Sequence, residues 1–133
     1  MKFTIEPVNY FQWKLEIETL KKEKKWLMHL PHDKKIEFYT IKMSSANRNF
    51  SIGAGYFFKK DEMEDWSFLI YPEFQKRGFA RSFVKQQLNE IRNLQFTVSK
   101  FNKASLGLFR SIEEIQEVSY DQKINTYVFR GRA

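Results

Sequence analysis

Residues 70–80, Ile70-Tyr71-Pro72-Glu73-Phe74-Gln75-Lys76-Arg77-Gly78-Phe79-Ala80, combine side chains and backbone freedoms suited to holding a phosphate. An apolar strand must end at Pro72, which lacks the ladder donor, and the loop then delivers N–H groups to the first turn of a helix, where they have no intrahelical partner. Such donors attract anions. Gly78 admits an unusual backbone angle and close approach by a ligand, and Ala80 is small enough to let a pyrophosphate sit against the helix start. Lys76, Arg77, Arg81 and Lys85 add positive charge. The bland alternative is an ordinary strand-to-helix turn with a solvated basic helix start.

The elements that must position this loop can be read from periodicity and turn chemistry. Residues 2–6 alternate as a first strand, and residues 8 to about 30, rich in Lys and Glu, spell one or two helices closed by Pro31. Phe11, Trp13, Leu15 and Ile17 also alternate with period two, so a strand stays open there. Residues 36–43 and 50–59 flank the turn Ser44-Ser45-Ala46-Asn47-Arg48-Asn49, and Lys60-Asp61-Glu62 turns into residues 63–71, giving an antiparallel meander of three strands. A helix over residues 79–92 places Ala80, Val84, Leu88 and Ile91 on one face. At 1.5 Å per residue it runs ~21 Å, enough to cross back to a parallel strand at residues 94–99. A short helix over 103–112 and strands at 115–120 and 126–130 complete the chain.

Composition bounds the partners. The 133 residues fit one domain, 1–133, and 42% hydrophobic content gives it a core. A net charge of +7 draws anions, nucleic acid and coenzyme A among them, yet no long basic tail argues for DNA or RNA. The run Lys21-Lys22-Glu23-Lys24-Lys25 reads as a solvated helix face. The lack of Cys excludes disulfides, thiol nucleophiles and thiolate zinc sites, and agrees with a reducing cytoplasm. His29 and His32 have no partner at metal spacing, so no metal is expected. Nothing approaches the ~20 apolar residues of a membrane helix.

Gln75-x-x-Gly78-x-Ala80 resembles the cofactor loop of the GNAT superfamily of N-acetyltransferases, whose signature is Arg/Gln-x-x-Gly-x-Gly/Ala and which binds acetyl-CoA. The family shows Val-x-Pro-Glu-aromatic just before that loop, and here Ile70-x-Pro72-Glu73-Phe74 stands in register. Farther on, family members carry an Asn and a small helix ending in Leu-Tyr. Asn102-Lys103-Ala104-Ser105-Leu106-Gly107-Leu108-Phe109 is similar except at its last residue. The resemblance spans roughly residues 63–112. It implies an α/β (α+β) fold with a mixed, mostly antiparallel sheet of six to seven strands flanked by about four helices. The two parallel strands should splay to admit the thioester arm.

The resemblance also assigns roles. Main-chain amides of Gln75, Lys76, Arg77, Gly78, Phe79 and Ala80 would bind the pyrophosphate, with Arg81 adding charge. Backbone groups near Phe68 and Ile70 would bond the pantetheine amides as an added strand does. Asn102 and Ser105 match positions that contact the same arm, although Asn102 also suits a helix N-cap. Glu64 matches where some members keep a general base and shares a strand face with Trp66, Phe68 and Ile70. As an acid just past a turn it also reads as merely solvated. Phe109 departs from the usual Tyr, whose hydroxyl protonates the departing thiolate; Tyr71, Tyr120 and Tyr127 are substitutes to consider. Lys76 replaces a common loop Gly, and Ser111-Ile112-Glu113-Glu114 replaces a usual Gly-Phe.

The implied activity is acetyl-CoA-dependent N-acetylation of a primary amine, small molecule or peptide, by direct attack in a ternary complex. The alternative is a GNAT-like scaffold, weak or inactive, that binds an acyl-CoA, a protein or nucleic acid. Family members are often dimers, and a C-terminal edge strand would suit a homodimer. The aromatic residues Trp13, Trp26, Tyr39, Tyr56 and Phe57 read either as core or as an apolar acceptor pocket.

Overall fold

Seven strands and three α-helices form among the residues that the computed structural model describes, which are 2–23, 35–45 and 48–132. Their order is β1 (Phe3–Val8), α1 (Tyr10–Glu23), β2 (Glu37–Ser45), β3 (Arg48–Lys60), β4 (Met63–Ile70), a 3₁₀ turn (Pro72–Phe74), α2 (Phe79–Glu90), β5 (Leu94–Ser99), α3 (Lys103–Ser111), β6 (Ile115–Asp121) and β7 (Thr126–Gly131). One sheet contains every strand, in the order β1-β2-β3-β4-β5-β7-β6. Only β4 and β5 run parallel, joined through α2. The sheet therefore has the expected mixed, mostly antiparallel character, while the described helices number three rather than about four. The expected continuation of α1 to residue 30, the Pro31 stop, Trp26 and both histidines lie outside the described residues.

The ambiguous period-two segment is helical. Asn9 starts α1: its Oδ1 accepts from the Gln12 N–H at 2.9 Å, and Gln12 Oε1 accepts from the Asn9 N–H at 3.5 Å. This reciprocal arrangement is a capping box. Trp13 and Ile17, one turn apart, go into the core, whereas Phe11 and Leu15 point to solvent. On that side of the sheet Trp13 and Ile17 meet Ala54, Tyr56 and Leu69. The larger cluster fills the opposite side, where Phe79, Phe83 and Val84 of α2 and Leu106 and Phe109 of α3 pack on Tyr39, Ile41, Trp66, Ile70 and Phe96. Val84 is thus central to the α2 face, with Ala80, Leu88 and Ile91 at its margin.

Turns set the register. Asp61 (φ 51°) and Glu62 (φ 68°) are both left-handed, the two-residue geometry whose twist matches a hairpin. β3 and β4 pair from Lys60↔Met63 to Gly53↔Ile70. At the β1 edge, Gln86 of α2 takes both free main-chain groups of Phe3. Its Oε1 accepts from the Phe3 N–H at 2.8 Å and its Nε2 donates to the Phe3 carbonyl at 2.7 Å. The other edge, β6, is exposed from Gln116 to Asp121 and is tied to α3 by Arg110 and Glu117 at 3.0 Å.

Candidate functional site

The parallel strands separate where the sequence expects them to. β4 and β5 are in register only at Glu64↔Leu94, Asp65↔Gln95 and Trp66↔Phe96. The Glu64 N–H donates to the Asn93 carbonyl at 2.7 Å and the Tyr71 N–H to the Ile52 carbonyl at 2.8 Å. By strand alternation, then, even residues of β4 turn their main-chain groups toward β5 and odd ones toward β3. Beyond Trp66, β5 stays in register with β7 as far as Ser99↔Thr126 and no longer with β4. The main-chain groups of Phe68 and Ile70 therefore face a fork with no strand opposite. At its open end the Ile70 carbonyl accepts from Gln75 Nε2 at 2.9 Å.

That open end leads into the loop. The Gln75 N–H donates to the Pro72 carbonyl at 3.2 Å, which closes the 3₁₀ turn. Lys76 (φ 62°) and Gly78 (φ 81°) are both left-handed, so the chain folds into a concave run of amides of the kind that binds anions. Lys76 holds without glycine a conformation that costs a side-chain-bearing residue about 1–2 kcal/mol. Gly78 is the N-cap of α2 and offers no side chain to satisfy the first turn, and the space where its Cβ would stand is open. Gln75, Lys76, Arg77 and Gly78 are exposed, while the Phe79 ring turns into the core. Arg77 lies 5.9 Å over the Phe74 ring, a cation–π contact that holds the guanidinium beside the loop. Arg81 is engaged elsewhere: its Nη2 donates to Ser111 Oγ at 2.7 Å, linking α2 to the end of α3.

Asn102 is the N-cap of α3, its Oδ1 accepting from the Ser105 N–H at 3.1 Å. Its Nδ2 and the second lone pair of Oδ1 are left for a ligand. Glu64 projects on the same side of the sheet as Trp66, whose indole Nε1 donates to Glu64 Oε1 at 3.2 Å. Phe109 is 3% exposed, with its ring 4.8 Å from Phe96 and 5.3 Å from Phe129. Its position is therefore a packed core site on β5. Tyr71 and Tyr120 are engaged away from that position. Tyr71 donates to Glu16 Oε2 at 2.6 Å on the α1 side, and burial, followed by the Glu16 carboxylate, pushes its hydroxyl far above the usual range. Tyr120 donates to Asn125 and stacks on Tyr127 in the β6–β7 hairpin.

No family model matches the sequence, and no curated protein matches it either. Solved structures do. A domain from Methanocaldococcus jannaschii superposes with a TM-score of 0.63 at 13% identity over 96% of each chain. The ribosomal-protein-S18-alanine N-acetyltransferase of Escherichia coli gives 0.53 at 10% identity, over 96% of this chain and 90% of that one. An acetyltransferase of the GNAT family from Streptococcus pneumoniae gives 0.52 at 13% identity, over 96% and 98%. The chain has the GNAT fold. At such identities the likeness concerns architecture alone.

Within this GNAT fold, sequence reasoning missed three groups beside the fork. Asp65, 4% exposed, lies opposite Glu64 on the other side of β4, and its Oδ2 accepts from Gln95 Nε2 at 2.9 Å and Thr97 Oγ1 at 2.7 Å. Gln95 Oε1 in turn accepts from Arg130 Nε at 3.0 Å, so one chain of bonds spans β4, β5 and β7 at the closed end of the fork. Asp65 Oδ1 has no hydrogen-bond partner among the described residues. Burial raises the Asp65 carboxyl above its ordinary value, while the Gln95 and Thr97 bonds and the Lys60 charge pull the other way. The other two missed residues are Gly53 and Gly55 of β3. Tyr39, Tyr56 and Trp13 are core. Among the described residues no group of three His, Asp or Glu side chains is placed to hold a metal, and no helix is long and apolar enough to cross a membrane.

Proposed function

We propose that the protein is an acetyl-CoA-dependent N-acetyltransferase acting on a primary amine of a small molecule or peptide. The observation that carries this reading is the end of β4–β5 pairing at Trp66↔Phe96, with the freed main chain leading straight to the left-handed loop at Lys76 and Gly78. A CoA thioester supplies the features that this geometry lacks. Its pyrophosphate takes the amides from Gln75 to Ala80 beside the exposed Lys76 and Arg77. Its pantetheine amides pair with Phe68 and Ile70 in place of a strand, and displace the Gln75 side chain from the Ile70 carbonyl. Asn102 and Ser105 line the far side of the arm.

In the reaction the amine lone pair attacks the thioester carbonyl carbon, and a main-chain N–H of the fork donates to the oxyanion that forms. Collapse breaks the C–S bond and expels the CoA thiolate. Glu64 takes the proton that the nitrogen loses, through one water, since it stands only two residues, ~7 Å, before the last paired residue Trp66. No hydroxyl at Phe109 protonates the sulfur. A thiol of pKa ~8.5 leaves without that help, so the effect is a slower rate.

Melting the protein with millimolar acetyl-CoA or CoA is the direct test. Ligand at 100 times its Kd stabilises by about 2.7 kcal/mol, a clear rise in midpoint. The Arg77→Glu/Gly78→Glu double variant should show no rise. Absence of a shift in the wild type with either ligand would overturn the reading. The buried Phe109 favours a second one, a weak or inactive scaffold that keeps cofactor binding; it predicts a midpoint shift without thiol release across a panel of amines and peptides.

A further inference from the structure

We infer that Gly53 and Gly55 of β3 are positioning residues that hold the fork open. The two glycines stand in register with Ile70 and Phe68, the even residues of β4 beyond the last pair with β5. One step earlier β3 carries Phe57, in register with Trp66, and the two rings stack 4.5 Å apart at 4°. On the face of the sheet toward α2, β4 thus keeps its partner β5 where β3 presents Phe57 and leaves it where β3 presents glycine.

The reason is space rather than backbone freedom, because neither glycine has a positive φ. A Cβ built on Gly53 overlaps the Leu69 carbonyl oxygen and lies 3.1 Å from its carbon. One built on Gly55 overlaps the Ser67 carbonyl oxygen and meets the Tyr39 ring at 2.7 Å. Main-chain atoms of β4 occupy the volume that side chains of β3 would fill. Tyr39 fixes this approach from the same side, its hydroxyl donating to the Ser67 carbonyl at 3.1 Å. A methyl group on either glycine displaces β4 away from β3. The direction open to it is toward β5, which narrows the fork and turns the Phe68 and Ile70 groups back into strand pairing. For the ligand that fills the fork, this inference rests on the cofactor reading above.

The test uses Gly53→Ala and Gly55→Ala in the full chain, with Gly107→Ala as control, since a Cβ there meets nothing within 4 Å. Amide hydrogen exchange of Phe68 and Ile70 should slow in both fork variants, without any ligand present. CoA affinity by calorimetry should fall roughly tenfold or more, as expected for the loss of two main-chain bonds. Gly107→Ala should change neither. Folded variants with wild-type exchange at Phe68 and Ile70 overturn the inference. So does recovery of CoA binding in Gly55→Ala/Tyr39→Phe, which would place the obstacle at the tyrosine. Failure of both alanine variants to fold while Gly107→Ala folds overturns it as well, because β4 then has no room to shift. Should the wild type not bind CoA, the cofactor reading fails, and exchange alone decides the role of the glycines.

Discussion

Replacing Asp65 by Asn should make the protein more resistant to unfolding at pH 7 than at pH 4, relative to the wild type at each pH. The carboxyl group is 4% exposed; among the described residues Oδ2 has two donors and Oδ1 has none. A buried acceptor without a partner costs about 1–3 kcal/mol, and more when charged. Burial raises the folded-state pKa above the unfolded 3.8. The sign follows: below pH 3.8 the group is neutral in both states and costs least, and stability is lost as pH rises through the raised folded value. Asn keeps one oxygen to accept from Gln95 and Thr97 and never ionises. Any fixed penalty for its buried NH2 is the same at both pH values, and every other titration cancels between variant and wild type. What remains is a gain for Asn that grows from pH 4 to pH 7, by about 1.4 kcal/mol for each pH unit by which burial lifts the Asp65 carboxyl above 3.8. Urea unfolding of both proteins from pH 4 to pH 8 measures it. A difference independent of pH, or one that grows toward acid, would falsify the claim that burial raises the Asp65 carboxyl.

Two further outcomes follow from single contacts. Gln86→Ala removes both bonds to Phe3; because Phe3 is 2% exposed, its freed groups lose their partners away from bulk water, and the loss should be about 1–3 kcal/mol, read as a lower urea midpoint, and an unchanged midpoint would show the clasp to be without effect. Phe109→Tyr puts a hydroxyl among Phe96 and Phe129, so stability should fall by about 1–3 kcal/mol, while thiol release should rise about tenfold or more if a proton donor there serves the departing sulfur. A folded Tyr variant no faster than wild type would count against that position.

The loop from Ile70 to Ala80 was legible because its determinants are local: a proline that ends a strand, a glycine at positive φ and a helix start lie within eleven residues. β5 begins and ends where the spacing puts it, at Leu94 and Ser99, and Glu64 shares a face with Trp66 as alternation requires. Arg81 has a partner that the sequence could not show: Ser111, 30 residues away, accepts from its guanidinium. Asp65 could not be told from its neighbour Glu64 by sequence, since its burial depends on Gln95 and Thr97 across a parallel ladder. Nor could Gly53 and Gly55. A glycine in a strand says only that a side chain is missing, and what stands in its place becomes visible once the register with β4 is known.

The fork withholds pairing from a strand at the centre of the sheet, so its two ends must be secured by other means. At the closed end, Phe57 stacks on Trp66 on one side of β4 and Asp65 binds Gln95 and Thr97 on the other, which pins β4 to both neighbours at the last shared register. At the open end the Gln75 amide caps the Ile70 carbonyl. Between them the Phe68 groups and the Ile70 N–H lie beyond the last shared register of β4 and β5. The same reasoning explains the adjacent acids. Glu64 projects on the side of α2 and α3 and accepts from the Trp66 indole N–H. Asp65 projects on the side of α1 and is consumed in holding the strands. One residue of strand alternation separates a side chain that faces α2 and α3 from one that is buried in holding the strands at their last shared register.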